Sequence, residues 1–184
     1  MANNNKKKML FTTPKGIAMY PWLSRPDTQF TPEGQYKVNL RVSKGDAQQM
    51  MDDCLTAAND AFGDKSKNAK MPWKVDDETG EVVLITKSKF APRFVDSTGQ
   101  VIPDSKAPQV NSGSTIKAAG TMFPYNAGGN MGISLQLSGV QIIELAARGD
   151  GDLGFGNEGD GFVAAAENDN ISNNGGSEDA SYNF

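Results

Sequence analysis

The 184-residue sequence contains no histidine at all and a single cysteine, Cys54. Without His, the usual general base, proton shuttle and commonest metal ligand are missing. One Cys excludes an intramolecular disulfide and any cysteine-rich zinc site. No run of about 18 consecutive apolar residues occurs, so nothing reads as a membrane-spanning helix. The opening Met1-Ala2-Asn3-Asn4-Asn5-Lys6-Lys7-Lys8 has charge but no apolar run behind it, unlike a secretory signal. There is no Gly-x-x-x-x-Gly-Lys-Ser/Thr phosphate loop. A soluble, intracellular binding protein without metal or cofactor is expected, rather than an enzyme.

Positive charge is missing from one whole region. All 18 Lys and Arg lie at or before Arg148, against 14 acids there, a net of +4; the last 36 residues hold eight acids and no base, a net of −8. Residues 149–184 also carry eight Gly and six Asn with little apolar periodicity, too little to offset chain entropy. They are expected to form a flexible acidic tail. Such a 36-mer spans about 30–35 Å r.m.s., enough to reach any face of a body whose radius of gyration is roughly 15 Å. The tail is polyanionic and carries Phe155, Phe162, Tyr182 and Phe184, so it resembles single-stranded nucleic acid in both charge and rings. The plainer reading is a solubility device.

The body reads mainly as strands. Tyr36, Val38, Leu40 and Val42 alternate strictly with Lys37, Asn39 and Arg41, a half-buried strand with a basic outer face. A helix is predicted over 46–62, with Asp46 and Gln49 as a capping box and Gly63 as its stop. Its apolar stripe is Met50, Met51, Cys54, Leu55, Ala58, Ala61 and Phe62, which makes Cys54 a packed thiol. Residues 63–74 read as a loop. The repeated Asp-x-Thr-Gly-[Glu/Gln]-Val at 77–82 and 96–101 predicts two hairpin turns of one type; the spacing does not fit a calcium loop. Further strands are expected at 82–90, 92–95, 115–123 and 131–145, the last bent by a bulge at Ser138-Gly139 where the apolar parity changes. The fold class is mainly β: a five-stranded antiparallel OB-fold barrel with one capping α-helix and the acidic tail. The division is 1–10 flexible basic arm, 11–148 barrel domain, 149–184 tail.

Nucleic acid needs cations for phosphates and aromatic faces for bases. Lys15, Tyr20, Trp22 and Arg25 come close in the N-terminal strand region, Lys37 and Arg41 lie on one strand face, and Lys87, Lys89, Phe90, Arg93 and Phe94 cluster further on. Lys117, Phe123 and Tyr125 share one parity opposite Ile116 and Met122, and form the favoured face. For Tyr20, Trp22, Phe90 and Phe94 the alternative is the core of the barrel, which needs large side chains. The function alternatives are an assembly protein whose barrel binds another protein, and a metal-dependent nuclease, although the acids cluster in turns and tail rather than converging.

An ordered set of segments resembles the single-stranded DNA-binding proteins of podophages. It runs through Phe11-Thr12-Thr13, Arg25-Pro26-Asp27, Gly34-Gln35-Tyr36-Lys37-Val38-Asn39-Leu40, Met71-Pro72-Trp73, Gly113-Ser114-Thr115-Ile116-Lys117, Phe123-Pro124-Tyr125 and Gly132-Ile133-Ser134-Leu135-Gln136-Leu137, and ends with an acidic tail closing on Phe184. The resemblance implies an OB fold, sequence-tolerant single-stranded DNA binding, promotion of annealing, and action in the cytoplasm of an infected bacterial host. It implies docking of the tail, through Glu178, Asp179, Tyr182 and Phe184, onto the phage DNA polymerase and primase-helicase, and homodimerisation linked to the tail. It places a DNA-contacting aromatic at Tyr125. Where the family carries a basic residue before Gly-x-Tyr-Lys-Val, this chain has Glu33.

Overall fold

The alternation of Gln35–Val42 does form a strand, and its neighbours in space explain the pattern. A computed structural model describes residues 9–147. It contains nine strands: β1 (Met9–Thr12), β2 (Gly16–Asp27), β3 (Gln35–Val42), β4 (Trp73–Val75), β5 (Val82–Ser88), β6 (Arg93–Val95), β7 (Val101–Ile102), β8 (Thr115–Ala127) and β9 (Asn130–Glu144), with one helix, α1 (Lys44–Phe62), between β3 and β4. β2 pairs with β3, β3 with β5, β5 with β9, β9 with β8, and β8 returns to β2. That cycle of five strands is the expected OB barrel.

Four of its five seams are antiparallel; the β5–β9 seam is parallel. The fully antiparallel barrel expected from the sequence is corrected at this seam. β9 lies along β8 on one edge, and on the other it receives β5 at Leu135 and Gln136 and then β6 at 139–141, both parallel. Alternation along each strand gives the barrel an inside. Ala18, Val38, Leu40, Val82, Leu84, Ile116, Ala118, Leu135, Leu137 and Val140 are all buried there, each large aliphatic contributing about 1.5–3 kcal/mol over its exposed state.

The bulge predicted at Ser138-Gly139 is present. Ala119 pairs with Gly139 and Gly120 with Leu137, so Ser138 is the extra residue. At this kink β9 comes down onto β8. A Cβ added to Gly120 would sit 1.8 Å from the Gln136 carbonyl oxygen, a space only glycine leaves open.

Helix α1 begins earlier than the sequence suggests. Ser43 is the N-cap: its Oγ accepts from the Asp46 backbone N–H at 3.1 Å and donates to the Asp46 carboxylate at 2.8 Å. The capping pair is therefore Ser43 with Asp46, while Gln49 donates to Asp53. Gly63 closes the helix as expected, at φ 54 with its N–H on the Asn59 carbonyl. The buried stripe is Ala47, Met50, Cys54, Ala57 and Ala58, and α1 packs it against β8 and β9. Leu55 and Ala61, assigned to the stripe from sequence, are exposed. Small alanines let the helix come close, and the stripe follows them rather than the larger apolar residues.

Three local expectations change. Residues 63–74 hold a 3₁₀ turn at Gly63–Asn68 and the start of β4. The two hairpin turns differ by one residue: Asp76 closes on Glu81, whereas Asp96 closes on Gln100. In each the first Asp accepts the turn's N–H groups, but it is Asp76, not Asp77, that matches Asp96. β1 starts at Met9, inside the stretch assigned to the N-terminal arm, because Met9 and Phe11 pack on the core cluster or within it.

Three outcomes follow from these surroundings. Gly120→Ala is expected to lower stability by about 3 kcal/mol or more, read as the urea midpoint. Gly45→Ala, at a helical position with open space, should be neutral or raise stability by up to about 1 kcal/mol. Burial pushes the Cys54 thiol up to about 12, with Asp53 adding to the effect. An aromatic disulfide reagent should therefore react with the folded protein only as fast as it unfolds.

Candidate nucleic-acid interface

The outer face of β2, β3 and β5 is built by the same alternation that fills the core. Its register aligns three cross-strand rows. Ile17 lies beside Arg41, Val83 and then Lys74; Met19 beside Asn39 and Ile85; Trp22 beside Lys37, Lys87, Gln136 and Thr121. Cations and apolar groups alternate in the first row, and the third sets Trp22 beside two neighbouring lysines. Lys15 lies two residues before Ile17, at the Arg41 end of this face.

The segment joining β2 to β3 folds over the Trp22 end. Arg25 stacks its guanidinium over the Trp22 ring, 5.3 Å from the centroid, an arrangement that attracts cations to the ring face. Asp27 is 6% exposed and its carboxylate meets Lys37 Nζ at 2.5 Å; it also accepts the Gln29 N–H at 2.9 Å. Hydrogen bonding from Lys37, then from the Gln29 backbone, holds the Asp27 carboxyl below its ordinary value. Lys37 Nζ lies 6.0 Å from the Phe30 ring centroid. Two looser pairs complete the face: Arg41 with Glu81 at 3.5 Å and Lys89 with Glu33 at 3.6 Å. Both are solvent-exposed and hold their cations weakly. Glu33 therefore contributes a carboxylate to the edge of the face, opposite Lys89.

Burial sorts the aromatic residues. Tyr20 is 70% exposed and Phe90 73%, so neither fills the core; Trp22 is half-buried. Phe94 is buried and belongs to the core cluster, the core alternative left open for it in the sequence. Phe30, 81% exposed, was missed. Its signal was present: a large aromatic within Asp27-Thr28-Gln29-Phe30-Thr31-Pro32-Glu33-Gly34 has turn formers on both sides and no strand to carry it inward. Lys74 was missed because β4 is only three residues long.

The Lys117, Phe123 and Tyr125 face does not hold together. All three share a parity on β8, but Lys117 lines a cleft with Asp46, Gln49 and Asp53 of α1. Phe123 and Tyr125 instead line a cavity of about 640 Å³ with Ala57 and Phe62 near the other end of that helix. Tyr125 lies across its register partner Gly132, where an added Cβ would come within 2.7 Å of its Oη. Its ring covers a glycine. Arg93 stands on β6 beside the bulge, paired with Gly139. The basic arm at Lys6–Lys8 and the tail residues Glu178, Asp179, Tyr182 and Phe184 lie outside the described residues. Among the described residues no group of three or more acids or Cys could hold a metal, and no helix is long and apolar enough to cross a membrane.

The architecture is that of an oligonucleotide/oligosaccharide-binding barrel whose open sheet face carries cations and exposed rings. No family model matches the chain. It is 26% identical to the single-stranded DNA-binding protein of Escherichia phage T7, over 86% of each chain. The crystal structure of that T7 protein, gp2.5, superposes with a TM-score of 0.67, covering 86% of this chain and all of the other. By sequence and structure together, the chain is a homologue of this phage single-stranded DNA-binding protein. The single-stranded DNA-binding protein of bacteriophage Enc34, solved with single-stranded DNA, shares the fold at a TM-score of 0.61 and 12% identity, covering 75% of this chain and 88% of its own.

A pH dependence follows from Asp27. A depressed folded-state value means that its contribution to stability is present above the ordinary carboxyl value of 3.8 and is lost as pH falls through the lower folded value. Between pH 6 and pH 3 the melting temperature of Asp27→Asn should fall less than that of the wild type; equal falls would assign the acid sensitivity to other carboxylates.

Proposed function

We propose that the chain is a phage replication protein that binds single-stranded DNA without strong sequence preference. The observation that carries this reading is the row Trp22–Lys37–Lys87 on the open β2–β3–β5 face, flanked by the exposed rings of Tyr20 and Phe30. Cations spaced along a sheet suit a phosphate backbone, and ring faces accept any base. What the T7 and Enc34 relatives bind supports the same reading. In this proposal Lys15, Arg25, Arg41, Lys87, Lys89 and Lys74 meet phosphates, while Tyr20, Trp22, Phe30 and Phe90 offer faces for stacking. Arg93 and Lys117 are outlying cations.

Neutralising phosphates on separated strands lowers their mutual repulsion, so the same face would promote annealing. The acidic segment 149–184 adds regulation. With eight acids, no base and four aromatic rings, it competes with DNA for the basic face. DNA then displaces it and frees Glu178, Asp179, Tyr182 and Phe184 to dock on the phage polymerase and primase-helicase, or to support a homodimer.

The test is a titration with oligo-dT at low and high salt, read by Trp22 and Trp73 fluorescence. If four cations engage four phosphates, log K should fall with log salt at a slope of about −3, roughly 0.7 per phosphate. Lys87→Ala should flatten the slope by about 0.7. Removing residues 149–184 should tighten binding, most at low salt. No binding by the full chain at low salt would overturn the reading and leave a protein-docking barrel.

A further inference from the structure

Strand β8 is longer than the strand that covers its outer edge. β1 pairs with it from Ala119 to Met122. One step further, Thr13 donates its N–H to the Ala118 carbonyl at 2.8 Å and accepts the Ala118 N–H on its Oγ1 at 2.9 Å. β8 then runs on to Ala127, paired with β9 all the way. Among the described residues, 123–127 are therefore paired along one edge only. A bare edge of this kind invites another strand.

The cavity of about 640 Å³ lies at this edge. Met9, where β1 begins, lines it together with Phe123, Pro124 and Tyr125 of β8 and with Asp60 and Phe62 of α1. Asp60 stands in the last turn of α1, where the helix dipole favours cations, yet that turn holds no base. Among the described residues Asp60 has no ion pair either.

The eight residues before Met9 end in Lys6-Lys7-Lys8. The β1–β8 register is constant, and carried backwards it sets Lys8 beside Phe123, Lys7 beside Pro124, Lys6 beside Tyr125 and Asn5 beside Asn126. Side chains alternate along a strand. Met9 and Phe11 turn to the core, while Leu10, 79% exposed, turns out. Lys7 shares the inward face, on the Asp60 side, and Lys6 and Lys8 share the outward one. Pro124 has no N–H to give, as befits an edge strand, but its carbonyl can accept from Lys7.

We propose that residues 5–8 continue β1 along β8, seat in this cavity with Lys7 against Asp60, and so cover the sheet edge of their own chain. The segment is tethered at the cavity wall, which gives it an effective concentration that a separate partner lacks. The inference does not depend on what the β2–β3–β5 face binds.

The experiment is disulfide trapping in the full chain. In this register Lys6 and Tyr125 form a pair without ladder hydrogen bonds, with Cα atoms about 4.5 Å apart, a separation that a disulfide spans. Lys6→Cys with Tyr125→Cys should oxidise within one chain, several-fold faster than Lys7→Cys with Tyr125→Cys, whose side chains point to opposite faces. Cys54 is buried and does not compete. Equal rates for the two pairs, or a disulfide between two chains, would overturn the proposal. Hydrogen exchange guards against variants that fold poorly. In the wild type the Asn126 N–H, donated to the Asn5 carbonyl, should exchange about tenfold or more slower than an open amide. Asp60→Lys, at an exposed position, should speed that exchange several-fold. An open rate for wild-type Asn126 overturns the docking whatever the cysteine variants do, and an Asp60→Lys rate equal to that of the wild type overturns the Lys7–Asp60 contact. Failure to bind oligo-dT would sink the DNA reading and leave these results untouched.

Discussion

The contact on which the rest of the molecule depends is the close approach of β9 to β8 at Gly120. The barrel is closed by β9, which holds β8 along one edge and β5 and β6 along the other. A 15-residue strand does this only by bending, and the bend is the extra residue Ser138 opposite Gly120. The Gln136 carbonyl takes the space a side chain would occupy there. Gln136 is also the β9 residue that aligns with Lys87, so the geometry that seals the barrel also sets the far end of the Trp22–Lys37–Lys87 row.

Helix α1 and the β2–β3 segment divide the remaining work. α1 covers β8 and β9 with alanines, Met50 and Cys54, and so occupies the side on which Lys117, Phe123 and Tyr125 lie. That leaves the β2–β3–β5 face open. The end of β2 furnishes this open face with Arg25 and Asp27 and the segment after it with Phe30, tied down by the Asp27–Lys37 pair. A buried acid here does not simply cancel a cation. It fixes the position of Lys37 within the Trp22–Lys37–Lys87 row, while the exposed acids Glu33 and Glu81 sit as loosely held counterions at the rim.

Much of this was legible in the sequence. The alternation of 36–42, the stop at Gly63 and the parity change at Ser138 are short-range signals, because side-chain direction and backbone freedom are set within a few residues. The parallel seam was not legible: which strands become neighbours is decided by how the whole chain returns on itself. The exposure of Phe90 and Tyr20 and the burial of Phe94 were open for the same reason, since one aromatic serves a small core or a binding face equally well.

The sequence by itself determined four of the barrel's five strands, the one helix and the split between a basic body and an acidic segment, because periodicity, glycine placement and charge are local or additive properties. Only the tertiary structure decided where the candidate face lies. Lys117 and Tyr125 share a parity on one strand, yet they belong to different clefts along α1. Trp22, Lys37 and Lys87 come from three strands and make one row. Cross-strand register is a property of pairing, and pairing is settled by which hydrophobic faces the closed barrel buries together.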